Sequence, residues 1–148
     1  MRPVGIVKSP FSETSQIPKG CGARHEAKGI LEIHPDFEQG LMDIEGFSHL
    51  YVIWVFDRAA GCELTGTPPT DTRPHGVFAT RSPKRPNPIG LTVVRLLGRD
   101  GRRLRVSGVD MLDGTPILDI KPYLSNVPDE ELKRGWLAEA EEKQRQCR

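Results

Sequence analysis

Short apolar runs rich in β-branched residues, each ended by glycine, proline or a polar turn, restrict what this chain can fold into. Runs of this kind are typical of strands, and they predict strands at 3–7, 29–34, 49–56, 76–80, 89–98, 103–109 and 116–120. The sequence has no internal repeat and no regular alternation of strands with helical segments. The pattern therefore predicts a mainly β fold, in which a single antiparallel sheet curls into a barrel.

Two of these runs predict more than a strand. The run 49–56, HLYVIWVF, is almost continuously apolar, which predicts burial on both faces of the sheet. Asp100-Gly101 lies between the runs 89–98 and 103–109, and an Asp-Gly pair in that position is a strong hairpin signal. We therefore expect these two strands to be neighbours.

The end of the chain is the one convincingly helical segment of the sequence. Pro128 and the acidic residues after it are typical of a helix start. Apolar residues then fall on one helix face at Leu132, Trp136, Leu137 and Ala140. We expect a β-barrel domain over residues 1–125 and a C-terminal helix over 126–148, packed on the barrel or on a dimer partner.

Composition excludes several classes of function. The 148 residues carry a formal net charge of +1, which excludes a globally basic nucleic-acid binder but not a local basic patch. The cysteines have no CxxC spacing and the histidines no HxH or HxxxH spacing, so we expect neither a disulfide framework nor a metal site. No apolar run approaches the roughly 18 residues of a membrane span. A cytoplasmic protein is the expectation.

The segment 81–90, RSPKRPNPIG, combines three cations with three prolines. A backbone stiffened by proline could present guanidinium groups in fixed positions to a phosphate or a carboxylate. The alternative is a stiff crossover with solvated cations. The sequence has no GxGxxG, GxSxG or Walker pattern, so a Rossmann-type nucleotide site is not supported.

Two further segments carry charged residues near glycine. The segment 112–123, LDGTPILDIKPY, places Asp113 and Asp119 on either side of a turn and strand, and the alternative interpretation is a turn that Asp113 caps through its own backbone. The polar loop 16–25 could be functional or a plain surface loop, and it contains Lys19, Arg24 and His25. The residues alone leave both alternatives open.

Four blocks of the sequence resemble the signature blocks of the TsaA/TrmO family. They are GIVKSPF (Gly5–Phe11), GFSHLYVIWVF (Gly46–Phe56), GVFATRSPKRPNPIG (Gly76–Gly90) and LDGTPILDIKPY (Leu112–Tyr123). The resemblance implies an S-adenosyl-L-methionine (SAM)-dependent tRNA methyltransferase that methylates N6 of threonylcarbamoyladenosine beside the anticodon. It also implies a homodimeric barrel with SAM held near the subunit interface.

The family's SAM contacts, carried over by position, fall on four places in this chain. Lys19-Gly20 stands where relatives often have Arg-Gln, and Asp57-Arg58 stands where many have His-Gln, whereas the other two places match. The cofactor-binding residues implied in this way are Pro18, Lys19, Gly20, Asp57, Arg58, Arg81, Asp113, Gly114, Thr115 and Pro116, and Val93 or Leu91 is expected to pack against the adenine.

Catalysis and RNA binding are assigned on the same resemblance. The attacking N6 is a weak nucleophile that a proton acceptor would help, and Asp119, Asp113 and Tyr123 are the candidates. Many bacterial relatives continue with an additional C-terminal domain that helps to engage tRNA, whereas this sequence ends after one predicted helix. We therefore expect the barrel itself to bind tRNA through surface cations. The candidate cations are Arg24, Arg73, Lys84, Arg85 and Lys121.

Two other functions remain open at this point. A non-catalytic SAM- and RNA-binding regulatory module would retain the cofactor loops, and the departures at Lys19-Gly20 and Asp57-Arg58 fit it. A methyltransferase acting on another adenine-containing acceptor would use the same site. Turnover of SAM in the presence of tRNA separates an enzyme from a binding module.

Overall fold

A computed structural model describes residues 1–18 and 25–147. Its strands are β1 (Gly5–Lys8), β2 (Lys28–Ile33), β3 (His49–Val55), β4 (Thr65–Gly66), β5 (His75–Gly76), β6 (Ile89–Asp100), β7 (Arg103–Ser107) and β8 (Pro116–Pro122). One α-helix, α1 (Trp136–Gln146), follows the strands. Short 3-10 helices lie at Thr14–Gln16, Pro35–Leu41, Ile44–Gly46, Val77–Ala79 and Asp129–Glu131.

Six of the strands form one antiparallel sheet that closes on itself. They are hydrogen-bonded in the order β1-β2-β7-β6-β3-β8, and β8 pairs back with β1. The hairpin predicted at Asp100-Gly101 is present: Asp100 pairs with Arg103, and Gly101 takes a φ of 62°, which glycine adopts readily. The prediction of a mainly β fold with a C-terminal helix is confirmed.

The core lies inside the closed sheet and is built by the alternation of side chains along each strand. The inward residues of β6 and β7 include Val94, Leu104 and Val106, each at most 1% exposed. Complete burial of such a side chain contributes about 1.5–3 kcal/mol relative to exposure. The core also takes in the fully buried residues Val7, Leu31, Leu50, Val52, Val109, Met111 and Ile117.

The prediction that the run 49–56 is buried on both faces is wrong. In β3, Leu50, Val52 and Trp54 are buried, whereas the residues between them are only half-buried on the outer face. The inner face of β3 is buried inside the closed sheet, but none of the described residues fully covers its outer face. An unbroken apolar run therefore does not imply here that both faces of the strand are buried. This outer face therefore presents apolar surface beside β6.

The predicted strand 76–80 and the predicted C-terminal helix have different bounds in the structure. The run 76–80 is not a strand beyond β5, because the chain turns into the 3-10 helix Val77–Ala79, where the N–H and the hydroxyl of Thr80 both bond to the Val77 carbonyl. The C-terminal α-helix starts at Trp136 and not near Pro128. The acidic residues after Pro128 form only the 3-10 helix Asp129–Glu131, which ends where Leu132 takes an extended backbone, and Gly135 has a φ of 54° directly before α1.

Helix α1 contacts the segment that carries β4 and β5. The indole of Trp136 stacks on His75 with ring centroids 4.2 Å apart, and its Nε1 donates to the Ala79 carbonyl at 2.8 Å. His75 Nε2 is also hydrogen-bonded to Oδ2 of Asp71 at 2.6 Å. The helix is thus tied to residues 73–79.

The described part of the chain has neither a candidate membrane-spanning helix nor a candidate metal site. Within residues 1–18 and 25–147, no helix combines the length and the apolar character needed to cross a bilayer. Over the same residues, no three His, Cys, Asp or Glu side chains are grouped so that they could hold a metal ion.

Candidate active site

Three adjoining cavities open at one end of the closed sheet, and Asp110 lines all of them. We call them together the Asp110 cleft. Their volumes are about 450, 430 and 160 Å³. The two larger cavities share Thr80 and Arg81, and the second and third share Ile17, Trp54 and Phe56. The larger volumes fall in the range of small-molecule sites.

The aromatic wall of the cleft is made by Trp54 and Phe56, whose ring centroids are 4.2 Å apart. Gly90 pairs with Trp54 across β3 and β6, and a Cβ at Gly90 would lie only 2.3 Å from the indole Cε2. Glycine is therefore required for the indole to lie on the β6 backbone. An aromatic wall beside a few polar groups suits a flat heteroaromatic ligand.

Asp110 is the carboxylate of the cleft. The Trp54 Nε1 donates to the Thr92 hydroxyl at 3.0 Å, and that hydroxyl donates to Oδ1 of Asp110 at 2.5 Å. Burial raises the pKa of Asp110, and this effect outweighs the Thr92 hydrogen bond and the positive charges of His25 and Arg81, which lower the pKa. A partly desolvated carboxylate in a cleft is a feature of functional sites.

Three cations of the proline-rich segment line the cleft: Arg81, Lys84 and Arg85. Arg81 differs from the other two in its contacts. It lines both larger cavities and takes part in none of the ion pairs formed among the described residues. Arg85 in the same segment instead donates to the carbonyls of Thr80 and Ser82 at 3.0 and 3.1 Å, so it holds the turn in place. The two alternatives for this segment therefore apply to different arginines: Arg81 faces two cavities with no ion pair among the described residues, whereas Arg85 lines the second cavity and also stiffens the crossover.

Most of the implied cofactor residues that the structure describes surround the cleft. Pro18, Asp57, Arg58 and Thr115 line its walls. Arg58 donates to the carbonyl of Asp113, which brings the DGTP turn against the third cavity.

Asp113 does not cap its own turn, which was one of the two interpretations of its segment. Its Oδ1 accepts the N–H of Ser9 at 3.0 Å and so ties the turn to the end of β1. Gly114 has a φ of 85°, which favours glycine at this position. Pro116 is half-buried at the start of β8, where it pairs with Ile6.

The predicted adenine contact Val93 and the catalytic candidates Asp119 and Tyr123 lie outside the cleft of this chain. Val93 is 41% exposed on the outer face of β6, since the neighbouring Thr92 points inward. Asp119 lies on β8, 3.8 Å from Lys121, and Tyr123 packs edge-on against Tyr51 with centroids 5.2 Å apart. Within one chain, the structure does not bring these side chains to Asp110 or Arg81.

The predicted RNA-binding cations that the structure describes already have partners. Arg73 is 3.3 Å from Glu139, and Lys84 is 3.6 Å from Glu63. Both pairs are solvent-exposed, and exposed pairs contribute little stability, so a phosphate could displace the acid. The predicted residues Lys19, Gly20 and Arg24 lie outside the described residues.

The residues that sequence reasoning missed include Trp54, Asp110 and Trp136 on the walls of the cleft, and Thr92, which bonds to both Trp54 and Asp110. One signal was available for Asp110, which is a single acid between the apolar residues Val109 and Met111. Alternation across such a triplet places the acid opposite the buried face.

Comparison with known proteins identifies the family. The family model of the tRNA-methyltransferase O N-terminal domain matches residues 6–129. This chain belongs to that family, as the sequence blocks predicted. Its match includes every wall of the Asp110 cleft except Trp136, which comes from α1.

Individual relatives agree with this assignment. The chain is 49% identical over 140 residues to a protein of Pyrococcus abyssi named "Probable S-adenosyl-L-methionine-binding protein", covering 92% of this chain and 74% of that one. It is 37% identical over 139 residues to the tRNA (adenine(37)-N6)-methyltransferase of Escherichia coli, covering 85% of this chain and 59% of the enzyme. A crystal structure of TrmO superposes with a TM-score of 0.73 at 39% identity, over 91% of this chain and 62% of that chain. The chain thus spans about three fifths of the E. coli enzyme and of the TrmO structure.

Proposed function

We propose that this chain carries the catalytic domain of a SAM-dependent tRNA methyltransferase that methylates N6 of adenosine 37. The observation that carries the proposal is the Asp110 cleft, which joins an aromatic wall, a partly buried carboxylate and an arginine free of ion pairs among the described residues. The named activity of the E. coli relative and the SAM-binding name of the Pyrococcus relative support it.

The chemistry of the cleft fits SAM. SAM supplies a methyl group on a sulfonium and also carries an adenine, a ribose, an ammonium and a carboxylate. Arg81 would pair with the carboxylate, and the wall of Trp54 and Phe56 would pack against an apolar or aromatic face. Asp57 and Arg58 lie at the narrow third cavity, and the family resemblance makes both of them cofactor residues.

We propose the threonylcarbamoyl-modified adenosine as the acceptor, on the family resemblance. Phosphates of the tRNA would meet the exposed cations around the cleft, and Lys84 lies on the wall of the first of its three cavities. The other cations proposed for this role are Arg24, Arg73, Arg85 and Lys121.

We also propose that the closed sheet is a TsaA/TrmO-type barrel that pairs with a second copy in the cytoplasm. The outer face of β6 supports pairing because Ile89, Leu91 and Val93 are each 40–46% exposed there. Ile89 and Leu91 also line the second cavity, so a partner seated on this face would lie beside the cleft. With such a partner in place, Val93, Asp119 and Tyr123 would lie near a bound SAM molecule.

The test is methyl transfer from labelled SAM to tRNA, with and without the threonylcarbamoyl modification. Label that enters only modified tRNA supports the enzyme and its acceptor. Label that enters unmodified tRNA equally well contradicts the acceptor but not the reaction. If calorimetry shows SAM binding and no tRNA accepts label, the chain is a SAM-binding module and the proposed activity is wrong.

A further inference from the structure

The position of Asp110 is set by the residues on either side of it. Val109 and Met111 are completely buried in the core. The N–H groups of Gly108 and Val109 both donate to the Ala27 carbonyl, at 2.8 and 3.2 Å. With both neighbours anchored inward, the Asp110 side chain is directed into the cleft.

The hydrogen bonds of Thr92 orient the carboxylate of Asp110. A hydroxyl has one proton to donate, and the Thr92 hydroxyl accepts from the Trp54 Nε1, which is a donor only. Its proton therefore goes to Oδ1 of Asp110. Among the described residues this is the one side-chain bond to Asp110, so Oδ2 has no side-chain hydrogen bond to them and is the oxygen available to a ligand.

The charges around Asp110 leave it able to exchange a proton. Burial raises its pKa above the ordinary range, and His25 and Arg81 are the charged groups that oppose this rise. The other ionisable residues on the walls of the three cavities are Asp57, Arg58, Glu63, Lys84 and Arg85. A carboxylate with a raised pKa is a better proton acceptor near neutral pH than an exposed one.

We propose that Asp110 is the general base of the methyl transfer; this inference rests on the proposed function. As adenosine N6 attacks, an N–CH3 bond forms and the S–CH3 bond of the sulfonium breaks, which leaves the neutral thioether of S-adenosylhomocysteine. The proton lost from N6 passes to Oδ2 of Asp110, and the carboxyl later releases it to solvent. Asp119 and Tyr123 lie on the outer face of this chain, whereas Asp110 lines every cavity of the cleft.

Thr92 is a positioning residue in this arrangement. Thr92→Val removes the hydrogen bond that stabilises the Asp110 carboxylate, so the acidic limb of the pH–rate profile is expected to move to higher pH. Thr92→Ser keeps the hydroxyl and is expected to return the limb to its wild-type position. A merely structural role for Thr92 would change the amount of active protein and leave the limb in place.

The decisive variant is Asp110→Asn, which keeps the size of the side chain and an oxygen that accepts from Thr92. General-base catalysis contributes about 100-fold or more, so kcat on modified tRNA is expected to fall by that factor while the Kd for SAM changes by less than about threefold. Asp100→Asn is the matched control, since Asp100 pairs with Arg105 at the β6–β7 hairpin outside the cleft. It is expected to keep the wild-type kcat.

A second readout needs neither SAM nor tRNA. The chain has two tryptophans, so the indole N–H resonance of Trp54 can be assigned by comparison with Trp136→Phe. Because Trp54 bonds to Thr92 and Thr92 bonds to Asp110, ionisation of Asp110 is expected to shift this resonance with pH. The shift should share its midpoint with the acidic limb of the rate profile and should disappear in Asp110→Asn.

The outcomes separate this inference from the proposed function. An active wild type with an equally active Asp110→Asn overturns the general base and leaves the methyltransferase standing. A parallel loss of SAM affinity in Asp110→Asn makes Asp110 a SAM ligand and overturns the base as well. An inactive wild type contradicts the proposed function, and the base assignment falls with it.

Discussion

Gly90→Ala tests whether the cleft depends on the close approach of Trp54 to the β6 backbone. The added Cβ would lie 2.3, 2.5 and 2.6 Å from the indole carbons Cε2, Cζ2 and Cδ2. Carbon atoms in contact are about 3.5–4.0 Å apart, so the ring must retreat by about 1 Å or more. Trp54 is only 6% exposed and has little room to do so. A retreat of that size also breaks its hydrogen bond to Thr92.

Three contributions determine how much Gly90→Ala changes the free energy of unfolding. Overpacking of a core costs about 1–3 kcal/mol, and the buried hydrogen bond is worth about 1 kcal/mol. The loss of glycine freedom in the unfolded chain returns about 0.4–1 kcal/mol. We expect the free energy of unfolding to fall by about 1–3 kcal/mol and the Tm by about 3–10 °C for a chain of this length. SAM affinity should fall as well, because the displaced indole enters the cleft.

Two glycine variants control for the substitution itself. A Cβ added at Gly40 would have nothing within 4 Å of it, so Gly40→Ala should leave the Tm unchanged or slightly raised. At Gly98 the Cβ would meet the Arg105 guanidinium, which is half-exposed and can swing into solvent at little cost. Thermal unfolding and SAM calorimetry of the three variants decide the matter. A Gly90→Ala protein as stable as Gly40→Ala, or a Gly98→Ala protein as damaged as Gly90→Ala, would refute the reasoning.

Three further predictions concern Arg81, Asp110 and His75. Arg81→Ala should weaken SAM binding by about 10-fold or more, as expected for a lost charged hydrogen bond, and leave the Tm unchanged; calorimetry showing wild-type affinity contradicts it. Asp110→Asn should be more stable than the wild type at pH 7.5 in urea unfolding. The pKa of Asp110 is raised above its ordinary value of 3.8 by burial, so the protein loses stability as the pH rises from that value through the raised pKa and Asp110 ionises. At low pH both side chains are neutral, and the difference in unfolding free energy between variant and wild type should vanish. His75→Ala should speed amide exchange in α1, because it removes the ring stacked on Trp136 and the partner of Asp71, and unchanged exchange would show that other contacts hold the helix.

The sequence by itself determined the features that depend on near neighbours along the chain. The apolar patterns predicted strands at 103–109 and 116–120, which end within two residues of the observed β7 (Arg103–Ser107) and β8 (Pro116–Pro122). Asp100-Gly101 indicated the hairpin because its backbone requirement is local. The family blocks also led to the residues around the cleft that match family positions, such as Arg81 and Thr115.

Tertiary structure decided what depends on distant contacts. The outer face of β3 is half-exposed because the sheet closes on its inner face, which the composition of the run 49–56 could not reveal. Trp54, Thr92 and Asp110 come from two strands and a connecting segment, and they meet only because those segments end at the same edge of the closed sheet. The spacing of these residues along the chain does not predict that they are in contact, since the pairing of distant strands is set by burial over the whole sheet.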